Sequence, residues 1–433
     1  MYDIVVIGSG PAGYTAALEA AKRQYKTALI EKNLNNLGGT CLNEGCIPLK
    51  GLLYYSGSVT DYLKIINIVS GKVNEIRKGL LSRLKNAGIE IMEGEAGFVS
   101  KDEITCSGKK ITAKNFIIAT GSKQKRIFNG KNVFGTKEIF GIKKIPSSVL
   151  IIGGGAAGCE YAAFFNKLGI DVTIVEMMPT LLPGEDGEIV RLLEKEFRKK
   201  RIKILTDSKI ADVKENGKVL IQTHDGNVEA DFEMIFEAAG RTASLDGLNP
   251  EIAGIEKTQK GFINVNCSMR TNVPNIYAAG DCIETPMLAY TAFAEAETAV
   301  KHIADENPEP IDYNFIPRIV FSSPQVGSVG FNEQKARMHK VEYNVYKYFF
   351  RANGKAAMEG RDTGFIKLIE DREEERIIGG FVTGDEIVDL INELSLIVNN
   401  RMKTQDVKKS IHVHPSYSEI IPETLRYGKQ EPR

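Results

Sequence analysis

The chain contains the same pattern of strand, glycine-rich turn and helix twice. Residues 4–7 and 149–152 form short apolar runs, and each leads into three glycines with the spacing GxGxxG. A run of small apolar residues follows each turn, and a second apolar run then ends on a glutamate. These glycines permit a tight turn, the close approach of a pyrophosphate and the packing of helix on strand. The residues concerned are Gly8, Gly10, Gly13 and Glu31 in the first copy, and Gly153, Gly155, Gly158 and Glu176 in the second.

Two such units predict an α/β fold with two Rossmann-like dinucleotide-binding domains. In each, the pyrophosphate would lie at a helix N-terminus, which stabilises negative charge. Glu176 would repel a 2′-phosphate, and Met177 and Met178 beside it offer no cation to hold one. The second site should therefore prefer NAD over NADP. A chain with two dinucleotide sites can pass electrons from one bound dinucleotide to the other.

The length and the net charge of the chain limit its number of domains and its possible partners. The 433 residues suggest about two to four domains. The formal net charge of zero gives no field that attracts nucleic acid or an anionic membrane. No segment of the sequence is apolar over the length of a bilayer span, and the first residues lead directly into a strand without a leader pattern. We therefore expect a cytoplasmic protein with neither nucleic acid nor membrane as a partner.

Two of the six cysteines, Cys41 and Cys46, stand close together just after the first dinucleotide unit. A zinc site would need about four ligands, and no second ligand pair lies near them in the sequence. A structural disulfide closing so short a loop would remove little chain entropy, and a reducing compartment would open it. A redox pair needs only two thiols beside an electron carrier, so the residues favour that interpretation. We expect the other cysteines to be small buried apolar residues, namely Cys106, Cys159, Cys267 and Cys282.

The segment GGTCLNEGCIPLK, residues 38–50, closely resembles the active-site segment of the flavin-dependent pyridine nucleotide-disulfide oxidoreductases. The resemblance extends along nearly the whole chain. It implies FAD in the first dinucleotide site, NAD in the second, and a homodimer held by a C-terminal α+β domain. Besides the two glycine motifs, it rests on Ala119-Thr120-Gly121, Gly240-Arg241, Ala279-Gly280-Asp281 and His414-Pro415.

The resemblance assigns catalytic functions to four residues. It implies that Cys41 faces the substrate and that Cys46 lies against the flavin. By itself a histidine near a chain end is more often a surface or packing residue. The family pattern implies instead that His414, oriented by Glu419, shuttles protons for the substrate-facing thiol of the neighbouring subunit.

The resemblance also implies the residues that contact the cofactors. Lys50 would approach the reactive flavin nitrogen and pair with Glu160. Asp281 would bind the ribityl or pyrophosphate region of FAD, and Ala289 would contact the flavin through its backbone. Glu31 would bind the adenosine ribose of FAD. Further contacts are expected at Thr40, Ala96, Thr120, Gly121 and Gly240.

We expect four segments: an FAD-binding domain at residues 1–144, an NAD-binding domain at 145–244, a central segment at 245–311 that completes the FAD site, and a dimerisation domain at 312–433. Within the last, residues 385–399 have the pattern of an amphipathic helix. The sequence departs from the family pattern at Leu49, where serine is usual, and at Tyr290, where histidine is usual. The chain is also shorter than usual between residues 55 and 71.

The expected activity is the oxidation of a dihydrolipoyl group through a Cys41–Cys46 disulfide and FAD, with hydride transfer to NAD⁺. The substrate would be a free dihydrolipoamide or the group on a lipoyl domain of a 2-oxo acid dehydrogenase complex or a glycine-cleavage carrier protein. The members of the family that reduce glutathione disulfide use NADP, which Glu176 disfavours. The members that reduce mercury carry a C-terminal cysteine pair, which residues 428–433 lack. Two alternatives are a reductase of another small disulfide and a redox-inactive flavoprotein that acts as a binding subunit.

Overall fold

The computed structural model describes residues 1–59, 61–214 and 217–430. Thr60 and residues 431–433 lie outside the described residues. The first belongs to the segment predicted to be shorter than usual, and the others belong to the chain end without a cysteine pair. The chain divides into two compact units. The first comprises Met1–Arg126, Thr136–Lys143 and Ala239–Tyr313, and the second Ile127–Gly135, Lys144–Ala238 and Asn314–Arg433. The boundaries at residues 144, 244 and 311 stay predictions.

Strands and helices alternate along most of the chain, so the predicted α/β class is confirmed. The strands are β1 (Tyr2–Ile7), β2 (Thr27–Glu31), β3 (Glu90–Glu93), β4 (Ala96–Phe98), β5 (Glu103–Cys106), β6 (Lys109–Ile118), β7 (Ser122–Gln124), β8 (Val133–Phe134), β9 (Ser148–Ile152), β10 (Asp171–Val175), β11 (Lys203–Leu205), β12 (Lys209–Val213), β13 (Lys218–Thr223), β14 (Gly226–Asp231), β15 (Met234–Glu237), β16 (Arg241–Ala243), β17 (Ile276–Ala278), β18 (Arg318–Val320), β19 (Gln325–Gly330), β20 (Tyr343–Phe349), β21 (Phe365–Asp371) and β22 (Arg376–Gly384).

None of the α-helices in the described ranges is long and apolar enough to cross a membrane. The helices are α1 (Pro11–Lys22), α2 (Gly39–Asn43), α3 (Cys46–Tyr55), α4 (Tyr62–Asn86), α5 (Ala156–Lys167), α6 (Gly187–Lys199), α7 (Ala289–Ile303), α8 (Glu333–Met338), α9 (Gly354–Met358), α10 (Val388–Asn399), α11 (Thr404–Lys409) and α12 (Ile420–Tyr427).

A parallel sheet forms the core of the first unit. Its strands lie in the order β3, β2, β1, β6 and β17, and β5 and β4 extend β6 in the antiparallel direction. The inner positions of β1 and β2, Ile4–Ile7 and Ala28–Ile30, are all apolar, as is typical of a parallel sheet that is covered on both faces. Val5, which pairs with Ala28 on one side and Phe116 on the other, is fully buried. The carboxyl ends of β1, β2, β6 and β17 therefore meet at one edge, where ligands bind in open α/β sheets.

The described residues of the second unit form three sheets. Its parallel sheet has the order β11-β10-β9-β15-β8, β12 to β14 form an antiparallel meander, and the last sheet has the order β18-β19-β22-β21-β20. Helix α10 packs on β22 and β19 of this last sheet. The predicted helix at 385–399 begins only at Val388, since Glu386 has a φ of +54°, which a right-handed helix excludes.

The structure corrects one prediction about the lone cysteines. Cys106, Cys159 and Cys282 are buried, but Cys267 is exposed. It lies in a turn in which the side chain of Asn266 accepts hydrogen bonds from the backbone amides of Ser268 and Arg270. The sequence of the turn, with asparagine as its organising residue, holds the cysteine at the surface.

A buried ion pair joins two parts of the second unit. The Lys367 side chain on β21 is 2% exposed, and its Nζ lies 2.6 Å from a carboxylate oxygen of Asp186. The same Nζ is 2.9 Å from Glu333. Asp186 also caps α6, because its other oxygen accepts a hydrogen bond from the amide of Glu188. Lys367 therefore ties the start of α6 to the antiparallel sheet.

Replacing Lys367 with methionine should leave the Asp186 carboxylate buried without a cation. We expect the free energy of unfolding to fall by about 3–5 kcal/mol. Urea denaturation at fixed protein concentration measures this, with Lys203→Met at the exposed first position of β11 as the matched control. Equal unfolding midpoints for the two variants would contradict the importance of this pair.

Candidate active site

The acid at the end of β2 folds back onto the first glycine turn. Glu31 accepts hydrogen bonds from the amide (3.2 Å) and the hydroxyl (2.5 Å) of Ser9 through one oxygen. Its other oxygen accepts from the amide of Asn33 at 3.1 Å. The oxygen that accepts from Asn33 keeps a lone pair, so the carboxylate is fixed at the sheet edge and can still accept from a hydroxyl of a ribose.

The glycines of the first turn are required by close contacts. Gly8 has a φ of +103°, and a Cβ on Gly13 would lie 1.8 Å from the carbonyl oxygen of Gly8. These contacts bring α1 directly against the end of β1. At Gly10 the nearest atom to such a Cβ, Gly39 Cα, lies at 4.0 Å. There is thus room over Gly10, at the N-terminus of α1, for a pyrophosphate.

The second unit repeats this geometry. Glu176 accepts hydrogen bonds from the amides of Gly154 (2.6 Å) and Met178 (2.8 Å). A Cβ on Gly158 would lie 1.9 Å from the carbonyl oxygen of Gly153, whereas one on Gly155 would meet no atom of the described chain within 4 Å. Both acids thus hold their own turn in the same way, and the residues of both sites fit a dinucleotide.

Two further groups at the edge of the first sheet are available to a ligand. Thr120 Oγ1 is buried, and among residues 1–59, 61–214 and 217–430 it has no hydrogen-bond partner. Asp281 accepts a hydrogen bond from the hydroxyl of Ser122 at 2.6 Å, and Arg241 Nε lies 3.8 Å from the same carboxylate oxygen. A buried hydroxyl that has no partner among the described residues, with a carboxylate near it, fits a polar ligand such as the ribityl chain of FAD.

The turn that carries Asp281 rests on a buried acid. Glu295 on α7 is fully buried and accepts hydrogen bonds from the amide of Gly280 (2.7 Å) and the hydroxyl of Tyr313 (3.1 Å). Burial raises the pKa of Glu295. Its position under the turn fixes the backbone from which Asp281 extends.

The two cysteines lie on consecutive short helices. Cys41 is in α2 and Cys46 begins α3, and the chain between them leaves helical geometry at Glu44 and Gly45. Their thiols share a hydrogen bond. Neighbouring thiols can close a disulfide when their geometry allows it, and the function of Cys41 and Cys46 as a redox pair stays a prediction.

The cysteine segment is docked on the first glycine turn. The amide of Gly38 donates to the carbonyl oxygen of Ser9 at 3.1 Å. A Cβ on Gly39 would lie 2.7 Å from Gly10 Cα, so only glycine permits this approach. The cysteine segment and the turn that would bind a pyrophosphate are consequently in direct backbone contact.

The surroundings of the pair make its two thiols unequal. The hydrogen bond with Cys46, followed by burial, raises the pKa of Cys41. The charge of Lys50 lowers that pKa and the charge of Asp281 raises it, so both predicted residues lie near the thiol. Tyr14 on α1 is a further neighbour, and burial together with the nearby Cys41 raises the pKa of Tyr14 to about 12. Cys46 is the more exposed residue of the two.

The predicted histidine–glutamate pair forms in the second unit. His414 Nδ1 and Glu419 Oε1 are 2.8 Å apart, and the other oxygen of Glu419 accepts from the amide of Ser416 at 2.7 Å. The hydrogen bond from Ser416, and then His414, hold the pKa of Glu419 below its usual range. The imidazole is 80% exposed, so its Nε2 edge is open to a reaction partner.

The remaining predicted residues fall at defined places, and their cofactor contacts stay predictions. Glu160 on α5 accepts from the amide of Phe321 at 2.9 Å, and the expected pair between Glu160 and Lys50 stays a prediction. Gly240 belongs to the first unit, where its carbonyl oxygen accepts from the amide of Lys125. Of the others, Thr40 lies in α2, Ala96 in β4, Gly121 beyond β6 and Ala289 at the start of α7.

Several residues of this site were not predicted from the sequence. Ser9, Ser122 and Glu295 hold the predicted acids or their turns through contacts between distant segments. For Ser122 and Ser9 a signal exists, because each follows a glycine at the end of a strand. Tyr14 and Asn43 have no such signal, since helical periodicity does not distinguish them from ordinary surface residues.

Comparisons with known proteins agree with this geometry. Residues 2–296 match the family model of the pyridine nucleotide-disulphide oxidoreductases, and residues 316–425 match the dimerisation domain of the same family. A dihydrolipoyl dehydrogenase of Chlorobaculum tepidum is 35% identical over 98% of this chain and 96% of its own length. One from Bacillus subtilis is 35% identical over 99% of this chain and 97% of its own length.

Among solved structures, the HOCl-induced flavoprotein disulfide reductase RclA from Escherichia coli superposes with a TM-score of 0.91. It is 26% identical, and the match covers 98% of this chain and 100% of RclA. The full-length sequence relatives, the family models and the two dinucleotide sites all indicate the same family. The chain belongs to the pyridine nucleotide-disulphide oxidoreductase family, as an NAD-dependent flavoprotein enzyme that uses FAD and carries the dimerisation domain of that family.

Proposed function

We propose that this chain oxidises a dihydrolipoyl group to its disulfide, with Cys41 and Cys46 as the electron relay and NAD⁺ as the acceptor. The observation that carries the proposal is the thiol contact of Cys41 with Cys46 on a segment docked against the first glycine turn. Full-length relatives that are called dihydrolipoyl dehydrogenases support the choice of substrate. The substrate would be free or attached to a lipoyl domain or a glycine-cleavage carrier protein.

The sulfur chemistry follows from the difference between the two thiols. A substrate thiolate attacks Cys41 Sγ, the Cys41–Cys46 bond breaks, and Cys46 leaves as a thiolate. The second substrate thiolate then attacks the substrate sulfur of the mixed disulfide. The substrate disulfide forms, and Cys41 leaves as a thiolate. Two electrons have passed from the substrate to the cysteine pair.

Each attacking thiol must first lose a proton. His414 accepts it, because histidine is the most frequent general base among side chains and Glu419 fixes the orientation and tautomer of the ring. In the homodimer of the family, the pair of one subunit serves the cysteines of the other. A monomer would then lack a complete site.

The dinucleotides would be held by the residues at the two sheet edges. Glu31, Thr120 and Asp281 would hold FAD, and Glu176 would hold the ribose of NAD. When bound, FAD supplies two-electron acceptance from a dithiol and hydride donation to NAD⁺. Lys50 would offer a positive charge near the cysteine pair. A cytoplasmic location belongs to this proposal as well.

Steady-state turnover tests the substrate and the acceptor together. The purified dimer should reduce NAD⁺ with dihydrolipoamide, and Cys41→Ser or Cys46→Ser should lower this rate at least about a thousandfold. NADH oxidation that does not need the cysteines should persist in both variants. Activity only with NADPH and glutathione disulfide, or full lipoamide turnover in the double variant, would contradict the proposal. Turnover of another small disulfide alone would favour a reductase like the structural neighbours.

The raised pKa of Cys41 predicts how its reactivity depends on pH. A raised pKa means less thiolate at a given pH, and the hydrogen bond with Cys46 is its main cause. The Cys46→Ala variant should therefore have a lower pKa at Cys41. At pH 8, iodoacetamide should alkylate Cys41 faster in this variant than in the reduced wild-type protein. Peptide mass spectrometry follows the rate, with exposed Cys267 as the internal reference. An unchanged or higher apparent pKa would contradict this origin of the shift.

Glu176 should determine the choice of pyridine nucleotide. Glu176→Ala removes the acceptor for the ribose hydroxyls, and we expect KM for NAD⁺ to rise about 10–100-fold with a smaller change in kcat. The preference for NAD⁺ over NADP⁺ should shrink, because repulsion of the 2′-phosphate is lost. Asp171→Ala, at the exposed opposite end of β10, is the control. A variant that kept the wild-type ratio of the two KM values would show that the specificity lies elsewhere.

A further inference from the structure

The residue between the two cysteines that ends α2, Asn43, makes an unusually complete set of hydrogen bonds. Its Nδ2 donates to the carbonyl oxygens of Gly39 (2.8 Å), Asn36 (3.0 Å) and Leu37 (3.2 Å). The side chain therefore binds the end of the helix that carries Cys41 to the loop that precedes it. This amide lies directly before Glu44 and Gly45, where the chain turns toward Cys46.

A cation on α4 fixes that amide. Arg77 approaches Asn43 Oδ1 with two donors, Nη2 at 2.7 Å and Nε at 3.0 Å. Its remaining arm, Nη1, donates to Asn74 Oδ1 at 3.0 Å, one turn earlier on α4. The guanidinium is thus held on its own helix and presents two parallel donors to one acceptor. Such charge-assisted bonds are stronger than neutral ones, and they polarise the amide so that Nδ2 becomes a better donor.

Helix α4 contacts both of the helices that carry the cysteines. Helix α4 also packs closely against α3, since a Cβ on Gly51 of α3 would lie 3.0 Å from the Val69 side chain of α4. Helix α4 therefore contacts the helix of Cys46 through apolar atoms and the helix of Cys41 through Arg77 and Asn43. The spacing of the two sulfurs depends on both contacts, because each cysteine is at a different end of the bent segment.

We propose that Arg77, acting through Asn43, is a positioning residue for the cysteine pair and stabilises the Cys41–Cys46 disulfide relative to the dithiol. This inference rests on the proposed function, in which the pair cycles between these two states. With Arg77 in place the sulfurs are held near each other before the bond forms. Without it the segment gains freedom in the dithiol state, and closing the disulfide must remove that freedom again.

The test is the equilibrium between the dithiol and the disulfide in the holoenzyme. The protein is equilibrated with buffers of reduced and oxidised dithiothreitol, free thiols are alkylated, and Cys41 and Cys46 are quantified by mass. Arg77→Ala should reduce the equilibrium constant for disulfide formation about tenfold, which raises the midpoint potential by about 30 mV. Arg77→Lys keeps the charge but not the two parallel donors, and it should fall between Arg77→Ala and the wild type.

The matched control is Lys78→Ala, which removes the same charge from the next, exposed position of α4. It should leave the equilibrium unchanged. If Arg77→Ala does not fold, Arg77→Gln provides the same comparison with a neutral side chain of similar length. In an Asn43→Ala background the replacement of Arg77 should add no further shift, since Arg77 acts through that amide.

Equal potentials for Arg77→Ala, Lys78→Ala and the wild type would overturn the inference, and so would additive effects of Arg77 and Asn43. The readout does not depend on the substrate. A protein that fails to oxidise dihydrolipoamide but shows the shift would contradict the proposed function alone. A protein that turns over dihydrolipoamide and shows no shift would contradict only the function assigned to Arg77.

Discussion

The candidate active site of the first unit depends on the close contact between Gly10 and Gly39. A Cβ on Gly39 would lie 2.7 Å from Gly10 Cα, and the amide of Gly38 donates to Ser9 in the same contact. Gly10 ends the turn that would receive a pyrophosphate, and Gly39 begins the helix that carries Cys41. Any side chain at position 39 would push the two segments apart. Electron exchange between a bound dinucleotide and the cysteines requires that they stay together.

Around this contact, charge and burial give the two sulfurs different properties. Cys41 is partly buried and its pKa is raised chiefly by the hydrogen bond with Cys46, whereas Cys46 is the more exposed residue. The charges of Lys50 and Asp281 act on the pKa of Cys41 in opposite directions, Lys50 lowering it and Asp281 raising it. Such asymmetry suits a relay, because one sulfur must be attacked and the other must leave.

The two glycine turns and their acids could be predicted because a ligand and a tight turn both demand particular residue types at fixed spacing. The sequence also predicted the α/β class and the pairing of His414 with Glu419. It did not predict that Glu31 and Glu176 would each bind the amides of their own turn, since that contact depends on how the strand ends fold back. Arg77 and Asn43 were missed because 34 positions separate them in sequence and neither belongs to a local pattern.

Other differences have equally specific causes. Cys267 is exposed because the turn-forming Asn266 precedes it, and composition alone treats every lone cysteine as a core residue. The buried Lys367 could not be expected from an alternating strand pattern, in which a lysine indicates a solvent-facing position. Its two carboxylate partners come from segments that only the folded second unit brings together.

The central claim is that Cys41 and Cys46 accept the electron pair of a dihydrolipoyl group. Incubating the oxidised holoenzyme anaerobically with one equivalent of dihydrolipoamide, without NAD⁺, and then alkylating its thiols tests this directly. We predict that Cys41 and Cys46 become labelled as lipoamide forms, while exposed Cys267 is labelled equally with and without substrate. Two results would contradict the account: Cys41 and Cys46 are labelled to the same extent without dihydrolipoamide, or lipoamide forms while the two cysteines stay unlabelled.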